Sequence, residues 1–175
     1  MVWHPHADIL ASCSYDNRLK LYNEDGDDDW TCFCTLASHD STVWSMSFDK
    51  DGKRIASCGD DKTVKIWQEY LPDNQEGVTS AGPTWKCVCT IGGYHTRCIY
   101  DVDWSHKSNL LATACGDDSI KVFGEVISAK ADELNRVRND QVQFLQRFKA
   151  ISNCSGLRML QQKLITARSH LLVGL

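Results

Sequence analysis

Apolar residues in this 175-residue chain fall in short runs, and the runs recur. VWSMSF, RIASC and VKIW are β-branched or aromatic stretches, parted by DKDGK and DDK, whose Asp and Gly residues favour turns. This punctuation predicts strands joined by tight turns rather than helices. Three eleven-residue segments align without a gap: SCSYDNRLKLY (Ser12 to Tyr22), SCGDDKTVKIW (Ser57 to Trp67) and TACGDDSIKVF (Thr113 to Phe123). Upstream of the second and third, WTCFCTLASHDSTVWSMSF and WKCVCTIGGYHTRCIYDVDW also match. They set Trp30 against Trp85, His39 against His95 and Trp44 against Tyr100. Asp16 and Asp61 lie 45 residues apart and Asp61 and Asp117 lie 56 apart, the excess falling mostly in YLPDNQEGVTSAGP. Insertions of that kind belong in surface connections.

A period near 45 residues, four strands per unit, a His ahead of the second strand and an aromatic closing the fourth resemble the WD40 propeller blade. The expected fold is therefore an all-β WD40 propeller fragment of four-stranded antiparallel blades. Its repeats are placed at about 1–24, 30–68 and 85–124. The WD dipeptide itself is replaced by KLY, KIW and KVF. The resemblance places the turn residues Asp16, Asp61 and Asp117 in hairpin bends. There they would join His39, His95, Ser57, Thr113 and Trp67 in a buried polar network that supports the fold. His39 and His95 are accordingly expected as core members rather than as catalytic bases.

Charge changes the picture at one point. Residues 1–125 hold 11 Lys and Arg against 20 Asp and Glu, net −9, whereas residues 126–175 hold 8 against 3, net +5. Such a shift argues for two segments of different origin. The acidic first part would repel phosphates, which argues against a nucleic-acid binder. No run reaches the roughly 18 to 20 apolar residues of a membrane span, and MVWHPHAD lacks the features of a signal peptide. The expected location is cytoplasm or nucleus, with no membrane partner. The nine cysteines are then expected to be thiols and not a disulfide framework.

Two C-x-C pairs, Cys32 with Cys34 and Cys87 with Cys89, invite a metal reading. Structural zinc prefers C-x₂₋₄-C on a turn, however, and equivalent cysteines in two repeats suit blade packing. The acidic stretch of Asp25, Asp27, Asp28 and Asp29 lacks the register of a calcium loop. No metal or other cofactor is expected. No Gly-rich phosphate cradle, nucleophile elbow or H-E-x-x-H occurs, so an enzyme is disfavoured. What remains is surface beside the turns and the His positions. Tyr15, Thr42, Trp44, Asp60, Arg97 and Tyr100, with Gly116 beside them, are the candidates for partner binding. Aromatics and Arg are the side chains that anchor interfaces.

Residues 2–123 further resemble the WD40 subunits of the cytosolic iron–sulfur protein assembly machinery. VWHP, TVWSMSFD, IASCGDDKTVKIWQEYLP, the insert YLPDNQEGV, WKCVCTI, HTRCIYDVDW and LATACGDDSIKVF carry the likeness. The resemblance implies a non-enzymatic scaffold of seven blades. Its partners would be the other subunits of the targeting complex and iron–sulfur apo-proteins. The competing readings are a generic WD40 adaptor, in ubiquitin ligation or chromatin, and a truncated product without function. Only about two and a half blades are present, an open array expected to be unstable alone.

Residues 125–175 fall outside the resemblance. Ala131, Leu134, Val137, Val142, Leu145, Phe148 and Ile151, then Leu157, Leu160, Leu164 and Leu171, give helical spacings with basic residues between. A mainly helical basic tail is expected. It would serve either as an amphipathic contact or as a replacement of the last blade by a splicing or reading-frame change.

Overall fold

A computed structural model describes residues 1–26, 29–72, 83–125 and 148–155, and all regular structure there is strand. The first antiparallel meander comprises β1 (Val2–Trp3), β2 (Ile9–Cys13), β3 (Arg18–Glu24) and β4 (Trp30–Ala37). The second comprises β5 (Val43–Phe48), β6 (Arg54–Gly59), β7 (Val64–Tyr70) and β8 (Thr84–Ile91). The third comprises β9 (Ile99–Trp104), β10 (Leu110–Cys115), β11 (Ser119–Glu125) and β12 (Phe148–Ser155). Asp16, Asp61 and Asp117 occupy the same bend in each, between the second and third strands. The residue after each Asp is left-handed: Asn17 at φ 66°, Lys62 at 63° and Asp118 at 60°. The Asp carboxylates stabilise these bends by accepting the N–H two residues on, at Arg18 (3.2 Å), Thr63 (3.1 Å) and Ser119 (3.1 Å).

Sequence repeat and sheet are out of step by one strand. Trp30–Ala37 opens the second repeat yet forms the outer strand of the first sheet, and Thr84–Ile91 does the same for the second. The C-x-C pairs therefore sit on the fourth strand of a sheet, not on its first. Each pair also straddles a bulge. Tyr22 faces Cys32 and Leu21 faces Cys34, so Phe33 is extra; Trp67 faces Cys87 and Ile66 faces Cys89, so Val88 is extra.

Burial explains the difference in hydrophobic pattern between sheets. In β3 only Leu19 and Leu21 are buried, an alternation suited to one packed face. In β6 and β7 both faces are covered, and the buried residues run consecutively from Ile55 to Gly59 and from Val64 to Trp67. Ile55 and Trp67 join Leu19, Leu21 and Met46 in a core between the first and second sheets. Ala56, Cys58 and Ile66 turn the other way, onto Ile99, Val102 and Leu111 of the third. Polar bonds reinforce that second junction: Ser45 Oγ donates to Asp101 (2.5 Å) and Ser47 Oγ to Asp103 (3.1 Å). The Arg54 guanidinium lies 4.7 Å from the Trp104 ring centre and pairs with Asp49 (2.9 Å) and Glu125 (3.2 Å).

The tail differs from expectation. Phe148–Ser155 is a strand hydrogen-bonded to β11, not the end of a helix. Phe148 and Ile151 fit a helical spacing, but the open edge of β11 offers a ladder of backbone partners that no local propensity competes with. The other positions of the expected helical stripes, Ala131 to Leu145 and Leu157 to Leu171, lie outside the described residues.

Candidate functional site

The bends carrying Asp16, Asp61 and Asp117 lie on one side of the sheets, together with the connections that lead into β5 and β9. In the second unit His39 reaches Asp61 Oδ2 through Nδ1 (2.7 Å) and Ser57 Oγ through Nε2 (2.7 Å), and Trp67 Nε1 donates to Ser57 Oγ (2.8 Å). Because the indole must donate, the Ser57 hydroxyl proton is free for His39 Nε2, and Nδ1–H then faces the carboxylate. Asp40 N–H (3.2 Å) and the Thr63 hydroxyl (2.8 Å) also donate to Asp61. Burial opposes the charge on Asp61. The hydrogen bonds from His39 and Thr63 outweigh it and hold the carboxyl well below the usual range.

The third unit repeats the arrangement with one part exchanged. His95 Nδ1 lies 3.2 Å from Asp117 Oδ2 and Nε2 lies 2.8 Å from Thr113 Oγ1. Phe123 stands where Trp67 stands and has no N–H, and Thr113 Oγ1 is within 3.3 Å of the Lys121 carbonyl. Burial lowers the His95 pKa despite its pairing with Asp117. Burial likewise opposes ionisation of Asp117, but bonds from Ser119, Thr96 and His95 hold the carboxyl well below its ordinary range. Asp16, in the first unit, is exposed and accepts from Arg18 N–H.

Outside this network an aromatic arc crosses all three sheets. Tyr15 meets Trp44 at 5.2 Å between ring centres, and Trp44 meets Tyr100 at 6.1 Å, both edge-to-face. The three rings are 75%, 36% and 49% exposed. Trp44 Nε1 donates to Asp60 Oδ1 (2.7 Å), which fixes the indole, and Arg97 Nη1 donates to the Gly116 carbonyl (3.3 Å). Thr42, half-buried, accepts Asp60 N–H at its carbonyl (3.0 Å). Gly59 is dictated by this close approach, since a Cβ there would lie 2.2 Å from the Thr42 oxygen. A Cβ on Gly116 would press on Tyr100 at 3.1 Å.

Among the described residues one trio could approach a metal, His95, Cys115 and Asp117, with ligand atoms within 4.8 Å of one another. Those atoms are engaged already. Cys115 Sγ donates to the Arg97 carbonyl (3.2 Å), and burial pushes its thiol up to about 11. The Cys32 and Cys87 thiols donate to the carbonyls of Cys34 (3.5 Å) and Cys89 (3.6 Å). Cys13, Cys32, Cys34, Cys58, Cys87, Cys89, Cys98 and Cys115 form no disulfide. Asp27 and Asp28 of the acidic stretch lie outside the described residues. Sequence reasoning missed the Ser45–Asp101 and Ser47–Asp103 bonds, each between residues 56 positions apart, because no local pattern announces such a partner.

Four-stranded meanders stacked face to face, with Asp bends and exposed aromatics on one side, define a β-propeller-type repeat protein. The family model of the WD domain, G-beta repeat, matches residues 1–23, 30–68 and 85–124, and the chain belongs to that family. It is 57% identical over 119 residues to the "Probable cytosolic iron-sulfur protein assembly protein Ciao1" of Culex quinquefasciatus. It is 60% identical over 118 residues to the protein of the same name from Aedes aegypti. Each alignment covers 66% of this chain and 35% of the relative. The "Probable cytosolic iron-sulfur protein assembly protein CIAO1 homolog" of Schistosoma japonicum is 36% identical over 166 residues, covering 81% of this chain and 45% of that protein. The chain thus spans about a third of the length of the two insect relatives.

Proposed function

We propose that this chain acts as a non-enzymatic protein-interaction scaffold in the assembly of cytosolic iron–sulfur proteins. The observation that carries the reading is the 57–60% identity to proteins of that name over 66% of this chain. Its partners are the other subunits of the iron–sulfur targeting complex and the apo-proteins they serve, met in the cytoplasm and the nucleus. Within the chain the labour is divided. The groups around Asp61 and Asp117, namely His39, His95, Ser57, Thr113 and Trp67, hold those two bends in place, as buried and saturated polar groups do, while Asp16 holds its own bend through Arg18 N–H. Tyr15, Thr42, Trp44, Asp60, Arg97 and Tyr100 meet partners, since large exposed rings fixed by neighbours lose little entropy on binding.

The test is affinity purification of the tagged chain beside its Trp44→Ala/Tyr100→Ala variant, with mass spectrometry of the recovered proteins. Iron–sulfur assembly components should accompany the parent chain and fall at least tenfold in the variant. Recovery of such components undiminished in the variant would refute the assigned face, and their absence from the parent would refute the function.

A further inference from the structure

The outer strand of the third sheet comes from outside the matched repeats. In the first two sheets that position is taken by the opening strand of the next repeat, Trp30–Ala37 or Thr84–Ile91. In the third it is taken by Phe148–Ser155, which begins well past residue 124, where the last match ends. Its register nevertheless reproduces the others residue for residue. Glu24 faces Trp30, Glu69 faces Trp85 and Glu125 faces Phe148. The bulge recurs at the same step: Phe123 faces Ala150 and Val122 faces Ser152, leaving Ile151 extra where Phe33 and Val88 are extra. Aligned on that register, WTCFCTLA, WKCVCTIG and FKAISNCS share an aromatic first, small residues third and fifth, a bulky apolar residue at the bulge and Thr or Asn sixth.

We infer that the outer edge of β11 is a docking site for one eight-residue strand pattern, and that residues 148–155 are its resident occupant, standing in for the opening strand of a WD repeat. A third strand left bare would present a row of unpaired N–H and C=O groups, the feature that makes sheet edges associate. One slip of register would reverse every side chain, so a shared register with a shared bulge marks a specific fit and not a generic ladder. Distance along the chain is a weak obstacle. The connections entering β4, β8 and β12 are 5, 13 and 22 residues long. Closure probability falls with about the 3/2 power of length, so the third is only about twofold less favourable than the second. The inference is independent of the proposed function.

Two variants of the 175-residue chain test it. Ile120 and Cys154 are paired in the register, so in an Ile120→Cys variant mild oxidation should link position 120 to Cys154 above any other thiol, as read by peptide mapping. Then Ser152→Pro/Asn153→Pro, adjacent positions of which one must donate toward β11, should accelerate hydrogen exchange of the outward β11 amides at least tenfold. The same variant should bind a labelled Thr84–Ile91 peptide under reducing conditions, while the parent chain should not. The inference is overturned if position 120 links elsewhere or not at all, if exchange is unchanged by the prolines, or if the parent binds the peptide equally well.

Discussion

Replacing each bend Asp by Asn asks how much of the fold its carboxylate holds. Asp61 accepts from His39 and from Asp40 N–H at Oδ2, and from the N–H and hydroxyl of Thr63 at Oδ1. An amide keeps one acceptor oxygen. Turned to leave that oxygen on the His39 side, its NH₂ group meets the Thr63 hydroxyl, which can rotate to accept, but the Thr63 N–H loses its partner. An unsatisfied buried donor costs about 1–3 kcal/mol, and losing the charge weakens the His39 bond by about 1 kcal/mol more. Asp61→Asn should therefore destabilise the chain by about 2–4 kcal/mol. Asp16 is exposed, with Arg18 N–H on its carboxylate, and Asn supports that turn equally well, so Asp16→Asn should stay within about 0.5 kcal/mol. Urea unfolding followed by tryptophan fluorescence reads both. At an m-value of about 2 kcal/mol per molar, the midpoint should fall by roughly 1–2 M for Asp61→Asn and by less than about 0.3 M for Asp16→Asn. Equal shifts at the two positions, or no shift at Asp61, would refute the assignment of that carboxylate to a hydrogen-bonded network.

Stability should also fall in two steps as pH is lowered. The His95 pKa is depressed by burial, so its share is full above about 6.5 and is lost as the pH falls below it; Asp61 and Asp117 are depressed too, and theirs is full above about 4 and is lost below that. His95→Gln should remove the first step and leave the second, as read from melting temperature against pH. Gly59→Ala should cost more than about 2 kcal/mol in the same urea assay, because its Cβ would meet backbone, at the Thr42 oxygen, and no side chain can yield there.

The sheets were legible because their determinants are local. β-Branched runs such as VKIW, the Asp bends and the recurring His positions all lie within a few residues of the structure they specify. The hydrogen-bond set around Asp61 is not local, since His39 lies 22 residues away, and it was foreseeable only from the family resemblance, which places His39, Ser57 and Trp67 at fixed spacings. The aromatic arc was legible only as a set of candidates. Whether Trp44 and Tyr100 face solvent depends on how neighbouring sheets pack, and Trp44 is held outward by a bond to Asp60, 16 residues away. Phe148–Ser155 was illegible as a strand, since the pattern it shares with β4 and β8 stands out only once its pairing with β11, more than 20 residues distant, fixes the register. The one-strand offset between repeat and sheet was hidden too, because strand partners are chosen in space.

That offset has a mechanical consequence. Since each repeat begins on one sheet and continues on the next, the covalent chain itself straps neighbouring layers together, as a brick laid across a joint does. The straps between β4 and β5 and between β8 and β9 carry His39 and His95, whose imidazoles are pinned to carboxylates on the far layer. Pulling two layers apart would thus have to strip a whole outer strand or break a buried imidazole–carboxylate hydrogen bond. Slicing the gene at a repeat boundary would therefore divide a sheet and leave both products with torn flanks.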